Sequence, residues 1–256
     1  MEFFDSHSHY NDEKYDVDRK QIIEENYKKG ITNLLCAGYS LDSSKFAIQL
    51  STEYEHVYAS CGISPNDIDE YVDEKIEEIR KIAKSEKVVA IGEIGLDYYW
   101  NKDNKEKQKE VFIKQLDLAQ KYSKPIVVHS RESIQDVYDI LKNYKLKGSI
   151  HCFSSSLEMA KEFIKLGYKI GIGGVVTFKN SIKLQEIVKE LDIKDILIET
   201  DSPYLTPEPF RGKRNEPSNV LYVAKKISEL KNINLEDVII ITRNNATREF
   251  DLKQLK

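Results

Sequence analysis

His7 and His9 stand two residues apart behind the apolar start FFDS. In an extended strand alternate residues share a face, so both imidazoles aim the same way, about 7 Å apart by strand rise, close enough to converge on one ion. Alone the pair is a weak sign, because polar residues near a strand end are common. Four more residues change that reading. His129 ends the run PIVVH, His151 ends GSIH, Glu93 ends VVAIGE and Asp201 ends ILIETD. Each lies where an apolar strand should leave the protein core.

Taken singly, a histidine can be a satisfied core residue, and Glu93 or Asp201 can cap a following helix. Six ligand-type residues at one end of a set of strands are a different matter. Four imidazoles and two carboxylates exceed the needs of one tetrahedral ion and suit two adjacent ions bridged by a carboxylate. Glu93 is the natural bridge, and Asp201 is placed to take a proton from the attacking water. Such a two-ion centre answers the requirement of phosphodiester hydrolysis, where charge builds on attacking and leaving oxygens. Imidazole and carboxylate ligands favour zinc or manganese by softness, while availability favours magnesium. The fifth histidine, His56, precedes the third strand and falls at the opposite end.

The elements that must position these residues read as repeated βα units. Short runs rich in Val, Ile and Leu alternate with longer amphipathic ones from end to end, eight times. Strands are expected at 2-7, 31-37, 57-62, 88-93, 126-129, 148-152, 168-173 and 195-200. Between them run patterns such as Val72, Ile76, Ile79 and Ile82, apolar at three- and four-residue steps with charges opposite. The expected architecture is a (β/α)8 TIM barrel with an additional C-terminal helix over 235-250, forming one domain across residues 1-256. In such barrels the active site is assembled at the C-terminal rim of the strands. The stretch 202-216, with Pro203, Pro207, Pro209 and Gly212, reads as a long functional loop after the eighth strand.

The chain's 256 residues suit one such barrel, and 39 basic against 43 acidic residues give a net charge of −4. That balance excludes a globally basic nucleic-acid binder, so phosphate recognition must be local. The local cluster is Arg211, Lys213 and Arg214, which either holds an anionic substrate or forms a solvated loop paired with Glu216. Arg131, two residues past His129, carries the same two readings. Tyr98, Tyr99 and Trp100 follow the fourth strand and either stack on bases or close the top of the barrel. Cys36, Cys61 and Cys152, an odd number without CxxC spacing, read as buried reduced thiols. No signal-peptide pattern opens the sequence and no apolar run reaches the length of a membrane span, so a cytoplasmic protein without a membrane partner is expected.

With these residues in place, the chain resembles the TatD family of metal-dependent deoxyribonucleases. The likeness rests on DSHSH (5-9), GEIGLDYY (92-99), PIVVHSR (125-131), HCFS (151-154), ETDSPYL (199-205) and RGKRNEPSNV (211-220). It implies a TIM barrel with two divalent ions, one held by His7, His9, Glu93 and Asp201, the other by Glu93, His129 and His151. It also implies magnesium-dependent cleavage of DNA with 3′-to-5′ exonuclease character. One departure stands out: the family's G-[IV]-H-P-H reads GISPN here, putting Ser64 and Asn66 at the substrate entrance. That change bears on substrate preference and rate, not on the six ligands.

Three functions compete. A nuclease acting on single-stranded or frayed DNA ends accounts for both the ligand rim and the basic loop. A small-molecule amidohydrolase or esterase would use the same ions on a carbonyl. A non-catalytic binding protein on a degenerate barrel would explain only the missing histidines.

Overall fold

A computed structural model describes residues 1–100 and 102–252. Eight strands pair in parallel and in chain order: β1 (Phe3–Ser8), β2 (Ile31–Cys36), β3 (Val57–Cys61), β4 (Val88–Asp97), β5 (Ile126–Arg131), β6 (Gly148–Ile150), β7 (Tyr168–Ile172) and β8 (Ile196–Ile198). The helices between and after them are α1 (Arg19–Lys28), α2 (Leu41–Glu53), α3 (Val72–Ile82), α4 (Lys105–Tyr122), α5 (Ile134–Leu141), α6 (Leu157–Lys165), α7 (Ile182–Glu190), α8 (Val220–Lys231) and α9 (Leu235–Glu249). The ring closes between its first and last members. Ser6 Oγ donates to the Ile198 carbonyl at 3.0 Å, the Asp201 amide to His7 O at 2.9 Å and the His9 amide to Ser202 O at 2.7 Å. The expected TIM barrel and its C-terminal helix are both present.

Strands buried on both faces explain the near-continuous Val/Ile runs. Their outer side chains join the inner faces of the helices in one large apolar cluster, in which Val72, Ile76 and Ile79 of α3 are buried and Ile82 is packed at its margin. A second cluster gathers Phe4, Leu35, Ala90, Val127 and Leu197 with Ala246 and Phe250 from the end of the chain. Five strands and the C-terminal helix thus meet there, with the Phe4 and Phe250 rings 6.0 Å apart. α9 seals the barrel near the start of β1, leaving the other mouth to the site.

Several strand ends differ from expectation, and the differences matter for chemistry. β4 continues from the expected 93 to Asp97, and β5 from 129 to Arg131, because the two keep pairing through Gly95↔His129, Leu96↔Ser130 and Asp97↔Arg131. Gly95 makes this possible: at its φ of 141° a Cβ would lie 2.0 Å from the His129 carbonyl oxygen. Glu93 accordingly sits inside β4, at the register shift between Ile91 and Ile94, and not at the strand's end. β6 and β8 are shorter than the expected 148-152 and 195-200. Just beyond them the backbone turns left-handed at Cys152 (φ 45°) and Asp201 (φ 54°), which breaks the ladder and puts His151 and Asp201 in the mouth loops. No helix among the described residues is long and apolar enough to cross a membrane.

Candidate metal centre

The six expected ligands do converge. His7 Nε2 and His9 Nε2 lie 3.2 Å apart, and Asp201 Oδ1 stands 3.6 Å from the first and 3.3 Å from the second. Glu93 faces both halves of the site. Its Oε2 is 3.4 Å from His7 Nε2 and 3.8 Å from His9 Nε2, while its Oε1 is 3.0 Å from His129 Nδ1 and 3.3 Å from His151 Nε2. His7 also stacks on His151 with ring centroids 4.0 Å apart, so the two halves share a wall. Ligand atoms of His7, His9 and Asp201, and again of His7, Glu93 and His151, lie within 4.8 Å of one another.

This donor set fits divalent cations. Imidazole nitrogens and carboxylate oxygens converge, and the two oxygens of Glu93 face different histidine pairs. The electrostatics agree. Burial pushes the Glu93 carboxyl up, but His151, His129 and His7 outweigh it and hold the group well below the usual carboxylate range. Burial likewise works against charge on Asp201 and is overcome by His9 and His7. In turn the carboxylates lift His9 and His129 to about 9 against their own burial. His7 goes the other way: burial and the neighbouring His151 hold it down at about 4, so it keeps a neutral ring, the form that binds a metal.

A cavity of about 630 Å³ opens above these groups, bordered by His9, Glu93, His129, His151 and Asp201 below and by Tyr39, Trp100 and Tyr204 on its sides. Ser64 and Asn66 line it; Ser64 donates to Asp67 at 2.7 Å and Asn66 Nδ2 to Asp97 at 3.3 Å. Arg131 also lines it, its guanidinium 4.0 Å from the Tyr99 ring centre and 5.3 Å from that of Trp100.

The aromatic trio divides. Tyr99 and Trp100 are exposed at the mouth, whereas Tyr98 is buried and donates to Asp136 at 2.7 Å, so it closes the core top and does not face the cavity. The basic loop divides as well. Arg214 forms a two-pronged ion pair with Asp18 (2.8 and 2.6 Å) and donates to Lys14 O, so its charge is engaged within the protein. Arg211 lies over Phe178 and Lys213 over Phe210, both exposed and outside the cavity lining. Glu216 pairs with Lys29 at 3.5 Å and with none of these loop cations. Cys152 is only partly buried and borders the cavity, unlike Cys36 and Cys61. His56, at the far end, packs against Tyr27 and Tyr54.

Sequence reasoning missed the buried acids behind the ligands. Asp97 accepts from His129 Nε2 at 3.0 Å. Glu199 accepts from the Cys152 amide and is held well above the carboxylate range by burial, with Oε1 4.0 Å from His151 Nδ1. Gly171 leaves room for it, since a Cβ there would lie 2.6 Å from a Glu199 oxygen. Asp5, raised to about 7 by burial, accepts from the Thr200 amide and hydroxyl and ties β1 to the ETD turn. Both GEIGLD and ETD carry an acid two or four residues from a ligand, which was the available signal.

The family model described as TatD related DNase matches residues 4–251. The chain belongs to the TatD family. Among TatD relatives, the uncharacterized metal-dependent hydrolase YabD of Bacillus subtilis is 44% identical over 250 residues, covering 96% of this chain and 98% of that protein. The uncharacterized metal-dependent hydrolase YcfH of Escherichia coli is 34% identical over 259 residues, with 98% and 97% covered. The crystal structure of YjjV, a TatD homolog from Escherichia coli, superposes with a TM-score of 0.91 at 27% identity over 98% of each chain.

Proposed function

We propose that this TatD-family metal-dependent hydrolase cleaves DNA phosphodiester bonds, removing nucleotides from single-stranded or frayed ends in the 3′-to-5′ direction with two divalent ions. The observation that carries the reading is Glu93, whose two oxygens face two separate histidine pairs beneath an open cavity. Two ions so bridged supply, when bound, an activated water and charge stabilisation on both sides of the scissile bond. His7, His9, Glu93 and Asp201 would hold one, and Glu93, His129 and His151 the other.

The chain's remaining groups handle the substrate. Asp201, kept ionised at the cavity floor, accepts the proton of the attacking water at a carboxylate oxygen. Arg131 reaches the phosphate with a forked donor set that pairs with no carboxylate among the described residues. Tyr99 and Trp100, exposed beside it, offer faces on which bases stack without sequence demand.

The test is a 5′-labelled single-stranded oligonucleotide incubated with magnesium, manganese or zinc. Wild-type protein is expected to yield a ladder shortening from the 3′ end. Glu93→Ala and Asp201→Ala each lose at least about 10²-fold in rate. Undiminished cleavage by both variants would contradict the proposal. So would intact DNA alongside hydrolysis of amides or lactones, which would instead support a small-molecule amidohydrolase.

A further inference from the structure

The fully buried Asp97 carboxylate has about four acceptor sites, and four are used among the described residues. Oδ1 accepts the main-chain N–H groups of Tyr99 and Trp100, each at 2.9 Å. Oδ2 accepts from His129 Nε2 at 3.0 Å and from Asn66 Nδ2 at 3.3 Å. Its own backbone is clamped by Gln108 of α4, which accepts from the Asp97 amide at 2.8 Å and donates to its carbonyl at 3.0 Å. The carboxylate therefore has a fixed position and two sets of dependants.

One set is the metal centre. His129 Nε2 donates to Asp97, while Nδ1 faces Glu93 Oε1 and His151 Nε2; with the Nε2 proton held by Asp97, Nδ1 is the nitrogen that would be left to bind an ion. A carboxylate on the far nitrogen of a ligand histidine fixes its tautomer and strengthens it as a donor. The other set is the turn after β4, where Trp100 borders the cavity and Tyr99 packs under Arg131. We propose that Asp97 is a positioning residue that couples the second ion's site, at Glu93, His129 and His151, to the substrate-facing turn at Tyr99 and Trp100. The inference rests on the two-ion reading above. It means that loading of this ion orders the wall against which substrate is held.

Trp100 is the chain's one tryptophan, so its emission reports on that turn. Wild-type protein stripped of metal is titrated with manganese or zinc by calorimetry and by Trp100 emission, beside Asp97→Asn and Asn66→Ala. The asparagine keeps an acceptor for the turn amides but turns an NH₂ group toward His129, favouring the opposite tautomer. Wild type is expected to take two ions, one of them with an emission change. Asp97→Asn weakens that step about 10–100-fold, leaves the other within about threefold and removes the emission change at the original metal concentration. Asn66→Ala, a lining residue whose loss spares the barrel core, weakens the same step roughly three- to tenfold and decides the matter if Asp97→Asn does not fold.

Two ions in wild type with unchanged affinities and emission in both variants would overturn the role of Asp97 alone. A single ion in wild type would overturn the two-ion reading and this inference with it.

Discussion

Arg131 and Arg214 are indistinguishable by type, and the structure gives them different tasks. Arg131 stands over aromatic rings at the cavity edge, while Arg214 is spent on Asp18 and the Lys14 carbonyl, anchoring the loop after β8 to the segment before α1. Arg131→Ala is therefore expected to raise KM for an oligonucleotide roughly tenfold with little change in kcat or Tm. Arg214→Ala should leave KM near wild type and lower stability by about 1 kcal/mol, the modest value fitting a half-exposed pair. Steady-state kinetics and thermal melts of the two variants check this, and a larger KM effect at Arg214 would reverse the assignment. The contrast was not legible in RGKRNEP, because whether a loop cation has a partner depends on Asp18, almost two hundred residues away. The candidate ligands could be picked out because four of them end apolar runs and His7 and His9 share a strand face, both local patterns. Asp97 and Glu199 were not, since an acid behind a ligand looks in sequence like an acid beside one.

At the scale of elements, strand ends set the chemistry. The expected strands were found in number, order and approximate place, yet β4 outruns its apolar segment because glycine at position 95 lets it pair with β5 past His129. Hydropathy registers burial but not register, so Glu93 was read as a strand end when it occupies a shift within the strand. The opposite end of the barrel carries a titrating element. Glu249, the last residue of α9, is buried near Gly148, Lys147 and Lys169, with Oε1 lacking a hydrogen-bond partner among the described residues. Burial lifts its pKa from 4.5 to about 7, against the pull of the two lysines. A folded value above the unfolded one means that protonated Glu249 favours the fold; this contribution is complete below pH 4.5 and lost as pH rises through about 7. Glu249→Gln should thus gain stability over wild type between pH 5 and 8, by on the order of 2–3 kcal/mol at the upper end. Urea denaturation of both proteins across that range provides the measurement, and a difference that does not vary with pH would refute the linkage.

For the whole molecule, the division of labour follows from the closed sheet. α9 and the Phe4–Phe250 contact stop one end, the helices bury the outer faces of the strands, and the candidate ligands collect at the end left open. Composition foretold none of this beyond size; the βα alternation supplied the barrel, and the barrel turned six scattered residues into one site. Its central feature is that Glu93 divides its oxygens between two histidine pairs. The most direct test is electron paramagnetic resonance of manganese-loaded protein at saturating metal. Two ions per chain with a spin-coupled signal, reverting to isolated ions in Glu93→Gln, are what the arrangement predicts, because a shared carboxylate holds its ions about 3.5–4 Å apart. One manganese per chain, or two that give only the signal of isolated ions in wild type, would contradict it.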